Sequence, residues 1–208
     1  MYTLYSFPGA GGIAIEAALA DSGIPYRSET VPLEEPGYDR TDYLDLNPRG
    51  QVPALVLPDG STMTESAAIL LHLADAHPEA DLAPPPGSVE RAQVMRWLCF
   101  FAVNVYEGEL RRHNAHRFTS AKDGAGAVAE AATHHVARQY ALFEAALADG
   151  GPYFLGPRIC ILDYYVWMLS YWVGDRTWLE RDCPKVEALT RAVRERPAVA
   201  PLHAAQLT

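Results

Sequence analysis

The chain is short of paired cysteines, of basic charge and of long apolar runs, and each shortage removes a class of protein. Only three cysteines occur in 208 residues, and Cys99, Cys160 and Cys183 are widely spaced with no Cys-x-x-Cys pair. That argues against a disulfide framework or a structural zinc site, so no resident metal is expected and a reducing, cytoplasmic setting is the simplest assignment. Lys and Arg number 17 against 26 Asp and Glu, a net charge of −9. An acidic chain of this kind argues against nucleic acid as a partner. No apolar run approaches the roughly 20 residues that span a bilayer. The opening MYTLYSFPGAGG carries neither the basic segment nor the apolar core of a secretory leader, so no membrane association is expected.

What is present is ample core material. With 49% apolar residues, the chain can bury a full core as one or two domains. Its first part alternates element types. Residues 2–6 read as a strand, 12–21 as a helix, 26–31 as a strand and 39–46 as a short helix. Residues 54–57 and 61–63 read as hairpin strands around Pro58-Asp59-Gly60, and 65–76 as a helix. Pro78 closes this region, and the proline-rich stretch 81–88 is a linker that cannot continue a helix. Everything from Val89 on reads helical: 89–113, 125–148, the nearly all-apolar 161–173, and 184–196 with prolines at both ends. The expected domains are therefore 1–80 and 89–208.

The densest chemical signal runs from Asn47 to Pro78. A turn, Asn47-Pro48-Arg49-Gly50, leads into Gln51-Val52-Pro53, at a position where cis peptides occur. Thr64 is a candidate cap for the helix that follows. Glu65 and Ser66 then sit at the helix mouth, where unpaired N–H groups and the positive dipole end attract an anion. Read from the residues alone, this is a site for one carboxylate and one extended peptide backbone.

Asn47-Pro48-Arg49-Gly50-Gln51-Val52-Pro53 together with Glu65-Ser66-Ala67-Ala68-Ile69 resembles the glutathione-binding half of cytosolic glutathione transferases, and the resemblance extends over the whole chain. It implies an α/β thioredoxin-like N-terminal domain followed by an all-α helical-bundle C-terminal domain, with glutathione as co-substrate. It also implies that the backbone of Val52, next to Pro53, pairs with the cysteinyl unit as an added strand would. By the same resemblance Ser66 takes the γ-glutamyl carboxylate, and Glu65 and Gln51 hold the amino end. A homodimer is implied as well, with Met63 and Arg91 as candidate contacts.

The family pattern departs at the thiol end. Family members activate the thiol with a Tyr, Ser or Cys in the loop after the first strand, and here that loop is Phe7-Pro8-Gly9-Ala10-Gly11-Gly12. Ser6 is the only hydroxyl near the tyrosine position, and it is too short to replace a phenol. What remains is backbone: the N–H groups of Gly12 and Ile13 open the first helix, and a thiolate is stabilised at a helix N-terminus. Tyr38 and Asp39 fall where several classes place a His-Lys pair for the glycine carboxylate. Asp39 has the wrong charge, and Arg40 beside it is the candidate substitute.

Phe7, Tyr106, His113, Tyr164, Tyr165 and Trp167 are candidates for the pocket of a small hydrophobic electrophile. Arg111, Arg112, His113, His116 and Arg117 form a basic knot that either ends a helix or adds to the field around an anion. Before the apolar helix, Asp163 matches the family's capping box, but Cys160 stands where Ser or Thr is usual, a weaker cap by about 0.5–2 kcal/mol. Three functions fit these residues: a glutathione transferase; a glutathione-dependent isomerase, ether-cleaving or biosynthetic sulfur-transfer enzyme; and a non-catalytic binding or interaction module of the same fold.

Overall fold

The protein is described by a computed structural model that covers residues 1–33 and 35–207. It folds as two compact units. One comprises Met1–Pro86 together with the C-terminal stretch from Val193, and the other Gly87–Ala192. The C-terminal stretch packs with the first unit. The reason is local chemistry. Helix α10 (Ala200–Gln206) packs on α1 (Ile13–Asp21), and the Arg196 guanidinium pairs with the carboxylate of Asp21.

The first unit is built on a four-stranded sheet in the order β2-β1-β3-β4. Its strands are β1 (Tyr2–Ser6), β2 (Tyr26–Thr30), β3 (Ala54–Val56) and β4 (Thr62–Met63). β1 runs parallel to β2, with Tyr2 opposite Tyr26 and Ser6 opposite Thr30, and antiparallel to β3, with Tyr5 opposite Ala54. Burial alternates along β1, so Tyr2, Leu4 and Ser6 face one side. Tyr5 faces the other side and joins Val31, Tyr43, Ala54 and Val52 in a second apolar cluster. α1 is buried from Ile13 to Leu19, which its alanine-rich, all-round apolar sequence permits. α2 (Thr41–Leu46) and α3 (Ser66–Ala76) complete the unit's helices before the linker.

Two helix starts differ from expectation. α2 begins at Thr41 because Asp39 Oδ1 accepts both the N–H of Thr41, at 2.9 Å, and its hydroxyl, at 2.6 Å. Those bonds hold the Asp39 carboxyl below its ordinary range. Asp39 is thus occupied in a turn just ahead of the helix, whose capping position is Arg40. At α3 the capping position is Glu65 and not Thr64.

The second unit is helical. Residues 89–113 form one run: α4 (Val89–Phe100), a wider π turn over Phe101–Tyr106, and α5 (Glu107–His113). α6 (Ala125–Ala146), α7 (Ile161–Ser170), α8 (Thr177–Asp182) and α9 (Pro184–Arg194) follow. Every residue of α7 is buried, as its apolar sequence implies. α7 stops at Ser170, short of the expected 173, because the N–H groups of Tyr171 and Trp172 turn back to the carbonyls of Met168 and Leu169. Asp163 carries the start of α7. Its carboxylate accepts the Cys160 N–H at 2.7 Å and, unforeseen from sequence, the Phe154 N–H at 2.8 Å.

Because Asp163 is fully buried, Asp163→Ala leaves two backbone donors without their charged acceptor. Urea denaturation should show a stability loss of about 3 kcal/mol or more, since a hydrogen bond to a charged group contributes about 1.5–3 kcal/mol. Cys160→Ser in the same assay should stabilise by up to about 1 kcal/mol. A neutral Asp163→Ala would contradict the capping role.

Candidate functional site

Three segments of the first unit converge. The first is the turn before β3. The Gly50 N–H closes on the Asn47 carbonyl at 2.8 Å, and the Arg49 N–H on Asn47 Oδ1 at 3.2 Å. The Gln51 carbonyl then receives two donors at once, the Tyr43 hydroxyl and Asn47 Nδ2, each at 2.6 Å. Tyr43 and Asn47 are both buried, so the chain entering Val52 is fixed from within the fold. The Val52–Pro53 peptide is cis, as its sequence setting implied.

The second segment is the start of α3. Glu65 adopts φ +65°, ψ 99°, a conformation that costs an L-residue on the order of 1 kcal/mol or more and concentrates at ligand sites. Its carboxylate meets Arg49 Nη1 at 2.9 Å, which joins this segment to the first. Both side chains are mostly exposed, so the pair adds little stability. Its consequence is placement. Ser66 is the first residue of α3 and is buried, while Gln51 and Glu65 are exposed at the surface of the same region.

The third segment is the glycine loop after β1. Ser6 is buried, and its hydroxyl donates to the Phe7 carbonyl at 3.4 Å. A Cβ added to Gly12 would lie 2.0 Å from Ser6 Oγ and 3.4 Å from the Pro53 ring. Only glycine lets the start of α1 lie this close, and the contact brings Ser6, Gly12 and Pro53 together. The Ser6 hydroxyl is therefore turned under the helix start. The Ile13 N–H, a candidate thiolate donor, already donates to the Ala10 carbonyl at 3.1 Å, and the Ala10 N–H to Phe7 at 3.0 Å. Among the described residues the N–H groups of Gly11 and Gly12 meet no acceptor.

Arg40 is exposed, and its Nη2 donates to the Leu33 carbonyl at 2.6 Å, using one of the five guanidinium donors. Sequence reasoning overlooked Tyr43 and Asn47 as supports and Arg49 as the partner of Glu65. Asn47 had a signal, an Asn four residues before Gln51 in the same turn; Tyr43 and Arg49 did not.

The glutathione S-transferase N-terminal domain matches residues 14–76 and its C-terminal domain residues 112–204. The chain belongs to the glutathione transferase family. It is similar to the uncharacterized GST-like protein YncG of Escherichia coli K12, 30% identical over 198 residues, 95% of this chain and 94% of YncG. It is also similar to glutathione S-transferase GstA of Escherichia coli O157:H7, 37% identical over 106 residues, 50% of this chain and 53% of GstA. That second match spans about half the length of GstA. Among solved structures, a sphingomonad glutathione S-transferase complexed with glutathione matches with a TM-score of 0.78, at 30% identity over 98% of each chain.

The helical unit of this family member divides its candidate pocket residues. Tyr164 and Trp167 are 1% and 0% exposed and Tyr165 is 1% exposed; all three lie in α7 and are packed core. Tyr106 is half-buried, stacks on Tyr165 with ring centroids 6.4 Å apart, and meets Trp172 edge-on at 4.8 Å. Tyr106 and Trp172 form a half-buried aromatic pair, and Trp172 had gone unnoticed in the sequence. Phe7, in the first unit, is half-buried. His113 is exposed, with Nε2 3.0 Å from the Trp172 carbonyl.

Two arginines of the basic knot find partners within their own helix. Arg111 pairs with Glu107 at 3.7 Å and Arg112 with Glu109 at 2.8 Å. The Arg112 guanidinium also donates to the Trp172 carbonyl. Glu109 is 1% exposed, and its Oε1 has no hydrogen-bond partner among the described residues. Burial pushes its carboxyl up to about 7, with Arg112 acting in the opposite direction. Between its ordinary value of 4.5 and about 7, folded Glu109 keeps a proton that the unfolded chain has released. Its contribution to stability is thus complete below pH 4.5 and is lost as pH rises through about 7.

Thermal or urea unfolding across this window should show Glu109→Gln with a weaker pH dependence than the native protein, the difference approaching about 1.4 kcal/mol per pH unit. Parallel profiles for the two proteins would contradict protonation of this buried carboxyl.

Proposed function

We propose that the chain is a glutathione transferase that holds glutathione on its first unit and directs the thiolate at a hydrophobic electrophile. One observation carries this reading. The glycine loop, the Gln51-Val52-Pro53 step and the Glu65-Ser66 helix start meet through the Gly12 contacts and the Arg49–Glu65 pair. The sphingomonad relative that contains glutathione supports the choice of ligand.

In this reading the Val52 backbone pairs with the cysteinyl unit, and the Ser66 hydroxyl donates to the γ-glutamyl carboxylate. Glu65 and the Gln51 side chain accept and orient the ammonium end. The thiol loses its proton to solvent, and the thiolate lies against the Gly11 and Gly12 N–H groups at the opening of α1. Its sulfur then attacks the electrophilic carbon, and the leaving group departs with the bonding pair. The chain contributes proximity and a preorganised dipole field.

The inward-turned Ser6 hydroxyl favours one competing reading, a passive binder that holds glutathione without activating it. The pKa of the bound thiol separates the two. A fall of a unit or more supports the enzyme, and an unchanged value supports the binder. The setting proposed is the cytoplasm; no described helix is long and apolar enough to cross a membrane.

Calorimetric titration with glutathione is the direct check. Ser66→Ala should raise the Kd about tenfold to a hundredfold, the equivalent of a lost hydrogen bond to a carboxylate of about 1.5–3 kcal/mol. Ser6→Ala should lower the conjugation rate by less than about tenfold, whereas loss of an activating donor costs on the order of a hundredfold. No binding at millimolar glutathione would sink the proposal.

A homodimer is part of the same proposal. Met95, Cys99 and Val103, at four-residue spacing on the run 89–113, are exposed, as is Leu142 on α6. Such a stripe on a helical surface is characteristic of an interaction face. Arg91, a candidate contact, is buried within the single chain. Light scattering should report twice the mass of one chain at micromolar concentration, and a strict monomer would overturn this assignment.

A further inference from the structure

We propose that Gln206, in the last turn of the C-terminal helix, is a positioning residue for the glycine loop. The inference rests on the functional reading above and extends it to a residue remote in sequence from every motif of the site. Gln206 makes two bonds, to residues 197 and 190 positions away. Its Oε1 accepts the Gly9 N–H at 3.4 Å, and its Nε2 donates to Glu16 Oε2 at 2.9 Å. The two partners fix which way the amide points, since a backbone N–H needs an acceptor and a carboxylate needs a donor.

These bonds bracket the loop. Gly9 lies just before Gly11 and Gly12, and Glu16 lies one helical turn after them, with its N–H on the Gly12 carbonyl at 2.9 Å. The backbone of Gly9 takes φ +73°, and a Cβ there would lie 3.1 Å from the Gln206 carbonyl oxygen, so the C-terminal helix also seats the loop by direct packing. Glu16 is 8% exposed, which makes its bond from Gln206 a shielded one. α10 is itself held on the unit by the ion pair of Arg196 with Asp21 at the far end of α1. Gln206 therefore sets the separation between the two ends of the segment whose amides face the thiolate. It does this without touching the peptide-binding step at Val52 or the carboxylate site at Ser66.

The discriminating variants are Gln206→Glu, which sets two carboxylates against each other, and the double exchange Glu16→Gln with Gln206→Glu. In the exchange, Gln at position 16 donates to Glu at position 206, whose second oxygen still accepts from Gly9. Amide hydrogen exchange of the 7–12 segment, resolved by mass spectrometry, reads the clamp directly. In Q206E the exchange should rise about tenfold, the loss expected of one hydrogen bond to a charged group. The conjugation kcat should fall about tenfold with KM for glutathione within about twofold, because a small displacement of the thiolate donors affects the reacting atom and spares the remote contacts. The double exchange should restore both readouts to within about threefold of native. If facing carboxylates unfold the unit, Gln206→Ala carries the same test with the same expected directions. Unchanged exchange in Q206E, or a double exchange that restores nothing, overturns the clamp. A native protein that binds no glutathione overturns the functional reading instead, while the exchange measurement still decides the clamp.

Discussion

The carbonyl of Gln51 is the fixed point of the first unit. Two buried donors, the Tyr43 hydroxyl and Asn47 Nδ2, converge on it at 2.6 Å each. Both would be unsatisfied in the interior without it, and leaving a buried donor unpaired costs about 1–3 kcal/mol. The bond pair therefore holds the turn after α2 in one place. From there Val52 packs into the cluster of Val31, Tyr43 and Ala54, and Pro53 reaches the underside of Gly12. The positions of Val52 and of the glycine loop follow from that one anchored oxygen.

The loop after β1 illustrates how a site can be made from what side chains leave out. With Gly12 lying on Ser6, no room exists for a Cβ, and the hydroxyl below it is spent on the Phe7 carbonyl. Ala10 and Ile13 close the turn with their own N–H groups. Among the described residues this leaves the Gly11 and Gly12 N–H groups at the mouth of α1 without an acceptor, and the proposed thiolate position rests on that feature. The packing of α10 on α1 borders this loop through Gly9 and Glu16.

In the helical unit, charge is managed locally. Arg111 pairs with Glu107, and Arg112 donates to Glu109, within a single helix. The buried Glu109 carboxyl has one oxygen served by Arg112 and one served by nothing among the described residues. That asymmetry raises its proton affinity, because desolvation disfavours the charged form more than one arginine favours it.

Much of the fold was legible in the sequence. The strand order of element types, the cis step at Val52-Pro53, the buried helix from Ile161 and the capping Asp163 follow from proline placement, apolar periodicity and hydrogen-bonding chemistry, which act within a few residues of themselves. The site was half legible for the same reason. Gln51, Val52 and Ser66 were singled out by two short motifs, whereas the bonds of Arg40 to the Leu33 carbonyl and of the Ile13 amide to Ala10 are choices among acceptors that only a folded loop makes available. Burial of Tyr164 and Trp167 likewise depends on what packs on α7, since an aromatic at helical spacing faces core or pocket equally well on paper. The packing of the chain's last helix on α1 was decided by tertiary structure alone. Gln206 carries no local signal, and its bonds to Gly9 and Glu16 exist only because residues nearly the whole chain apart are brought within hydrogen-bonding distance.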